Sequence, residues 1–110
     1  MSERKIQNEI RLALGMLDGC VFWRNSNAGV ETWDEKTGDV RYHHAGLPKG
    51  SADLVGIVNG RFVSLEIKTS TGKPSQDQIN WGNVVRAHGG FHAVVRSVAE
   101  ALAAVEEARR

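Results

Sequence analysis

The 110-residue chain has a single cysteine, two prolines and no apolar run long enough to cross a membrane. Because Cys20 stands alone, an internal disulfide and a cysteine-based zinc cluster are both excluded, and we expect Cys20 to be a small buried apolar residue. No apolar segment follows the charged N-terminus, so the sequence predicts no signal peptide. These absences favour a reducing, cytoplasmic setting.

A strong charge of either sign is also missing. Fourteen basic and 13 acidic residues leave a net charge of +1, whereas dedicated nucleic-acid binders are usually much more basic. Charge alone therefore predicts no partner. The chain is 41% hydrophobic and 25% charged, and its length provides one hydrophobic core rather than two. No internal repeat or low-complexity segment interrupts it, so we expect residues 1–110 to form a single domain.

Hydrophobic periodicity and turn signals predict alternating helices and strands. The predicted helices cover residues 2–18 with Gly19 as the stop, 75–88, and 97–110, where Ser97 and Glu100 suit a capping box. The predicted strands cover residues 21–24, a small hairpin at 30–33 and 40–43, a second hairpin at 53–68, and 91–95. The strands of the second hairpin are apolar on both sides, which predicts the centre of a sheet covered on both faces. The order indicates an α/β sandwich in which helices flank a mixed sheet.

The second hairpin is the most informative segment, because Asn59-Gly60 is the strongest short signal for a two-residue turn. Counting outward from that turn places Asp53 directly opposite Glu66. Side chains alternate along a strand, so Lys68 projects from the same face as Glu66. The sequence therefore predicts two carboxylates and an ammonium group at one end of one sheet face.

This grouping predicts a divalent cation. Like charges directly across a strand pair are destabilising, and a hard cation with oxygen ligands, such as magnesium or manganese, offsets the repulsion. The cation would activate water and polarise a phosphoryl group, while Lys68 would serve the attacking water. The alternative interpretation is an exposed Glu66–Lys68 pair with no chemical function. It is disfavoured because strands that are apolar on both faces are a poor place for unused charges.

These motifs resemble a known family. Asp53 with Glu66-Ile67-Lys68 matches the D…(D/E)xK signature of the PD-(D/E)xK nuclease superfamily. More narrowly, the chain resembles the virus-type replication-repair nuclease (VRR-NUC) domain, in its stand-alone, phage-type form, through Gly50-Ser51-Ala52-Asp53-Leu54, Glu66-Ile67-Lys68, Ser75-Gln76-Asp77-Gln78 and Gly90-Phe91-His92-Ala93-Val94-Val95. The likeness covers nearly the whole chain. It departs from the superfamily pattern at Ser51-Ala52, which replaces the proline of the signature.

The resemblance implies a restriction-endonuclease-like fold and a metal site. It places a glutamate of the first helix beside the metal, which carries over to Glu9, a residue at the border of that helix's apolar stripe. The implied metal ligands are Glu9, Asp53, Glu66 and the backbone carbonyl of Ile67. The alternative for Glu9 is an ordinary solvated glutamate.

Two roles are open for Gln78. Ser75-x-x-Gln78 forms a capping box, which needs no catalysis, whereas the resemblance places this glutamine near the active site, where it would assist Lys68. We expect the two roles to be only partly compatible, because one amide has to serve both.

A basic and aromatic segment is the predicted DNA-contacting surface. The residues assigned to it are Arg41, Tyr42, His43, Lys49 and Lys73, with Trp33 as a further stacking surface. The alternative for this region is a solvated hairpin in which Trp33 packs for stability. Trp23 and Trp81 are predicted to lie in the core, and His88 at a helix end.

The sequence thus predicts a magnesium- or manganese-dependent endonuclease acting on DNA. A domain of this size has little surface for reading sequence, so selectivity is expected to come from DNA shape, as in four-way (Holliday) junctions. The resemblance implies a homodimer in the cytoplasm of a bacterium or a phage-infected cell. The alternatives are a nucleic-acid-binding module with a vestigial site, a nuclease of broad specificity, and a metal-free structural protein.

Overall fold

The structure is a computed structural model that describes residues 2–26, 29–44 and 46–110, without the side chains of residues 30, 31 and 42–44. Its elements are α1 (Glu3–Leu14), β1 (Cys20–Arg24), β2 (Gly29–Trp33), β3 (Val40–His44), β4 (Leu54–Val58), β5 (Arg61–Ile67), α2 (Gln76–Ala87), β6 (Phe91–Val95) and α3 (Val98–Ala108). None of the helices in the described part of the chain has the length and apolar character that a membrane span requires.

Four of the strands form one sheet in the order β1-β4-β5-β6, and β2 with β3 forms a separate two-stranded sheet. The pairings β1–β4 and β4–β5 are antiparallel, whereas β5–β6 is parallel. The mixed sheet and the central position of the hairpin β4–β5 confirm the predicted fold class.

The turn between β4 and β5 has the predicted form. Asn59 and Gly60 have φ angles of 49° and 81°, the left-handed region that a two-residue turn of type I′ requires. Val58 pairs with Arg61, and the ladder runs on to Leu54 opposite Leu65. Asp53 lies one residue beyond the last pair of the ladder, so it is outside the strand although the register was predicted correctly.

One face of the sheet carries the hydrophobic core, because α1 and α3 both pack against it. Ile6, Ile10 and Leu14 of α1 recur on one stripe of the helix and are all buried. They join the fully buried Leu54 and Leu65 of the central strands in a single cluster with α3.

Helix α2 packs on the opposite face, over β5 and β6. The indole Nε1 of Trp81 donates to the Ser64 hydroxyl, which also pairs with His92 Nδ1 at 2.9 Å. The helix lies so close to β6 that a Cβ at Gly82 would be 2.5 Å from His92 Cδ2. The absence of a side chain at this position permits the close approach, and the buried polar chain fixes the helix on the sheet.

Within the described chain, the same face is not covered over β1, β4 and the start of β5, contrary to the prediction of a sheet covered on both sides. Val21, Trp23, Ile57 and Phe62 are exposed there, and we call these four residues the open patch. Trp23 was predicted to lie in the core but is 53% exposed. The prediction failed because an apolar strand pattern does not reveal how far a covering helix extends.

The end of one helix and the cap of another differ from the predictions. Helix α1 ends at Leu14 rather than near Asp18, because Gly15 follows and the next amides, of Met16 and Leu17, bond three residues back in tighter turns. At the start of α3, Ser97 Oγ caps the amide of Glu100 as predicted. The Glu100 side chain, however, accepts from the amide of Arg96 instead of closing the box on Ser97.

The hairpin of β2 and β3, residues 29–44, forms an arm. Its paired residues Trp33 and Val40 are both exposed, and its strands match the predicted small hairpin within a residue. The radius of gyration of the chain is 15.8 Å, above the about 13 Å typical of compact domains of this length. The arm therefore extends away from the main body.

Candidate functional site

Three carboxylates meet at the end of the central strands. Ligand oxygens of Glu3, Asp53 and Glu66 all lie within 4.8 Å of one another, the group among the described residues with the geometry to hold a metal ion. Glu66 is 1% exposed, Asp53 is half-buried and Glu3 is exposed. The cluster therefore has a buried floor and an opening to solvent.

Asp53 is held by backbone groups on both sides. Its Oδ2 accepts from the Ile67 amide at 2.8 Å, which ties the carboxylate to the end of β5. Its carbonyl accepts from the Asn25 amide at 2.8 Å, and the Asn25 side chain donates to the carbonyl of Ala52. These bonds fix the segment that leads into β4, so the carboxylate has a defined position beside Glu66.

The helical member of the cluster is Glu3, not the predicted Glu9. Glu9 lies exposed on α1 and is not part of the group. Glu3 precedes Ile6 by three residues and Ile10 by seven, so it stands on the buried stripe at the end of the helix that meets the sheet. That spacing is visible in the sequence, but it does not show which end of the stripe meets the carboxylates.

The buried carboxyl of Glu66 is electrostatically unfavourable as an anion. Its pKa is raised to about 9, chiefly by burial and then by hydrogen bonding to, and charge repulsion from, the Asp53 carboxyl. The Lys68 ammonium opposes this shift. Without a cation the folded protein therefore keeps a proton on Glu66 at neutral pH.

The donor set fits a hard divalent cation. None of the described residues donates a hydrogen bond to the buried Oε2 of Glu66, and burying an oxygen without a donor is costly. Three carboxylates supply the oxygen ligands that magnesium and manganese prefer. A cation bound there would satisfy Oε2 and displace the proton.

Gln78 contacts both the beginning of α2 and the carboxylate cluster. Its Oε1 accepts from the Ser75 amide at 2.8 Å and closes the capping box of α2. Its Nε2 donates to Glu66 Oε1 at 3.1 Å. The two ends of the amide point to different partners, so capping the helix does not prevent a contact with the cluster, while assistance to Lys68 stays a prediction.

Lys68 and Ile67 lie next to the cluster, as expected from the hairpin register. The charge of Lys68 acts on Glu66, and the Lys68 side chain runs alongside Gly72 of the following loop. The Lys68 amide donates to the carbonyl of Val95, which extends the β5–β6 pairing past Ile67. Lys68 is thus anchored at the mouth of the cluster.

The predicted DNA-contacting residues lie on different elements of the structure. Arg41 is exposed on β3, and Lys73 is exposed in the loop before α2. Lys49 is exposed and lies 3.6 Å from Asp77 Oδ2 at the start of α2. The side chains of Tyr42 and His43 are outside the described residues.

Two further predictions concern exposed aromatic and titratable side chains. Trp33 is 65% exposed near the tip of the arm, so it does not pack for stability within the described chain. His88 is the C-cap residue of α2 and its Nδ1 pairs with the Val84 carbonyl, as a helix-end position predicts.

The fold and the cluster define an α/β domain whose mixed sheet has an acidic site at the end of its central strands. The architecture is that of VRR-NUC domains: a solved structure described as "VRR_NUC domain" superposes with a TM-score of 0.63 at 21% sequence identity, covering 94% of each chain. No protein-family model matches the sequence, and no curated protein matches it either. The structural likeness confirms the predicted VRR-NUC-like fold.

Proposed function

We propose that this protein is a divalent-cation-dependent nuclease that hydrolyses DNA phosphodiester bonds. The observation that supports it most directly is the buried carboxyl of Glu66, whose Oε2 receives no hydrogen bond from a described donor, within a group of three carboxylates on a VRR-NUC-like fold. A structural protein would gain nothing from burying such a carboxyl beside a second acid, because the arrangement costs stability.

Glu3, Asp53 and Glu66 would hold the cation, with the carbonyl of Ile67 completing the protein ligands. A bound magnesium or manganese ion supplies Lewis-acid chemistry, polarising a phosphoryl oxygen and acidifying water. Gln78 holds Oε1 of Glu66 and so leaves Oε2 for the ligand. Lys68 at the mouth of the cluster would orient the attacking water and balance negative charge on the phosphoryl group.

Branched DNA, such as a four-way junction, is the proposed substrate. Two features support it: the small domain offers little surface for reading sequence, and Asn25, which precedes the arm in the chain, bonds Asp53 of the site. Arg41, Tyr42, His43, Lys49 and Lys73 would contact the phosphate backbone. We further propose a homodimer, which would pair two cuts across a junction, acting in the cytoplasm of a bacterial or phage-infected cell.

The test is a cleavage assay on a four-way junction, a flap and a linear duplex, with manganese, with magnesium and with EDTA. We expect metal-dependent cutting, fastest on branched DNA, with Asp53→Asn and Glu3→Gln reduced to background. Glu9→Gln is the matched control from the same helix, and it should cut at the normal rate. Binding without cutting under every condition would replace this proposal by a nucleic-acid-binding module with a vestigial site.

A further inference from the structure

Trp23 is a large aromatic side chain left open to solvent beside the candidate metal centre. Its neighbours Cys20 and Phe22 pack against the core on the other side of β1. Trp23 therefore faces the side of the sheet on which α2 lies, at a place that α2 does not cover, and it is 53% exposed as part of the open patch. Exposing this much apolar indole surface to water is unfavourable in free energy, and a ligand that covers the indole would remove that cost.

The strand register puts Trp23 next to Asp53. Trp23 pairs with Val55 across β1 and β4, and Asp53 precedes Val55 by two residues. Trp23 and Asp53 are thus diagonal neighbours, which in antiparallel sheets places them about 7–8 Å apart. The bond from the Asn25 amide to the Asp53 carbonyl continues the pairing between them and makes the spacing rigid.

We propose that the indole of Trp23 is a stacking platform for an unpaired base adjacent to the phosphate that is cut. This inference rests on the proposed function and names the feature of the substrate that the site reads. A nucleotide whose phosphate lies at the carboxylate cluster has its base within reach of the indole. Aromatic side chains stack on bases of any sequence, because every base has a π-face.

The position of Trp23 favours a base over a protein partner. Trp23 of the open patch is a diagonal neighbour of Asp53, so a protein segment lying on Trp23 would crowd Asp53 and compete with a phosphate. Bases within a continuous duplex are stacked on their neighbours and offer only their edges. An unpaired base offers its face, so Trp23 selects DNA with an unpaired nucleotide at the cut, as at a flap, a loop or an opened junction.

The test measures binding separately from cutting, in the Asp53→Asn background. The probe is a flapped oligonucleotide with 2-aminopurine as the unpaired base at the branch, and its fluorescence falls when that base stacks. We expect quenching with Trp23 present, no quenching with Trp23→Ala, and about tenfold weaker binding of the flap. Affinity for a continuous duplex should not change, and Trp23→Phe should retain most of the quenching.

Val84→Ala is the matched control, because Val84 is an apolar residue of α2 that is exposed to a similar extent and is not part of the open patch. It should leave flap binding and quenching unchanged. Undiminished quenching in Trp23→Ala, or equal losses on flap and duplex, would overturn the stacking inference. So would a fall in solution mass from dimer to monomer in Trp23→Ala, which would identify the patch as a contact between copies. Absence of cleavage in the parent protein would instead refute the nuclease proposal and leave this binding result standing.

Discussion

The chain contains two antiparallel hairpins with acidic residues near one end, and they differ in almost everything else. In the arm, Asp34 is exposed and its carboxylate accepts from the Lys36 amide within the turn. In β4–β5, Glu66 is buried, and no described residue donates a hydrogen bond to its Oε2. The comparison teaches that an acidic side chain becomes a candidate metal ligand through burial beside other acids, not through its place in a hairpin.

The two hairpins should differ most in how they make the stability of the metal-free protein depend on pH. Above pH 4.5 the unfolded chain releases the Glu66 proton, whereas the folded protein retains it up to about pH 9. The folded state therefore loses stability as pH rises through this window, by on the order of 5 kcal/mol in all. Urea unfolding in EDTA at pH 5, 7 and 8.5 measures this loss.

Two variants sharpen that contrast. Glu66→Gln should flatten the decline, whereas Asp34→Asn in the arm should reproduce the parent curve. A saturating concentration of manganese should also reduce the decline, because the cation takes the place of the proton. A metal-free protein whose stability is constant from pH 5 to 8.5 would show that Glu66 is not a buried acid.

The two hairpins should differ next in how much the packing of their side chains contributes to the free energy of unfolding. Leu65→Ala removes a fully buried side chain of β5 and should lower the free energy of unfolding by about 2–5 kcal/mol. Val40→Ala removes an exposed side chain of the arm and should change it by less than about 0.5 kcal/mol. Denaturant midpoints of the two variants measure the difference, and similar losses would mean that the arm packs on the body in solution.

The smallest expected effect on stability distinguishes His92, which packs against α2, from His88 at the end of that helix. Burial, and then the charge of Arg86, lower the pKa of His92 to about 4 from 6.5. The unfolded chain takes up this proton first as pH falls, so stability is lost between about pH 6.5 and 4, by about 2–3 kcal/mol. His92→Gln should remove part of this acid sensitivity, while the exposed His88→Gln should keep it. Identical acid profiles for all three proteins would contradict the assignment.

The parts of the fold that local rules decide could be predicted from the sequence. Asn59-Gly60 fixes a turn, alternation fixes the faces, and together they set Asp53 beside Glu66 without knowledge of the rest of the chain. The end of α1 was placed too late because Gly15 and Gly19 both suit a helix end, and the sequence alone does not show which of them is used.

The parts that depend on the relative placement of elements could not be predicted. Glu3 and Glu9 both lie on α1, and only the docking of that helix on the sheet brings Glu3 to the carboxylates. Trp23 has an apolar strand pattern around it, yet its exposure depends on the width that α2 covers. In each case the missing quantity is a distance between segments remote in sequence.

The bifunctional amide of Gln78 links the beginning of a helix to a candidate ligand. Fraying of the first turn of α2 would release Glu66 Oε1 and let the carboxyl rotate. Local melting at Ser75 would therefore loosen the binding of an ion at the carboxylate cluster. Heat or mutation that unwinds this one turn should therefore weaken ion uptake before the sheet itself comes apart.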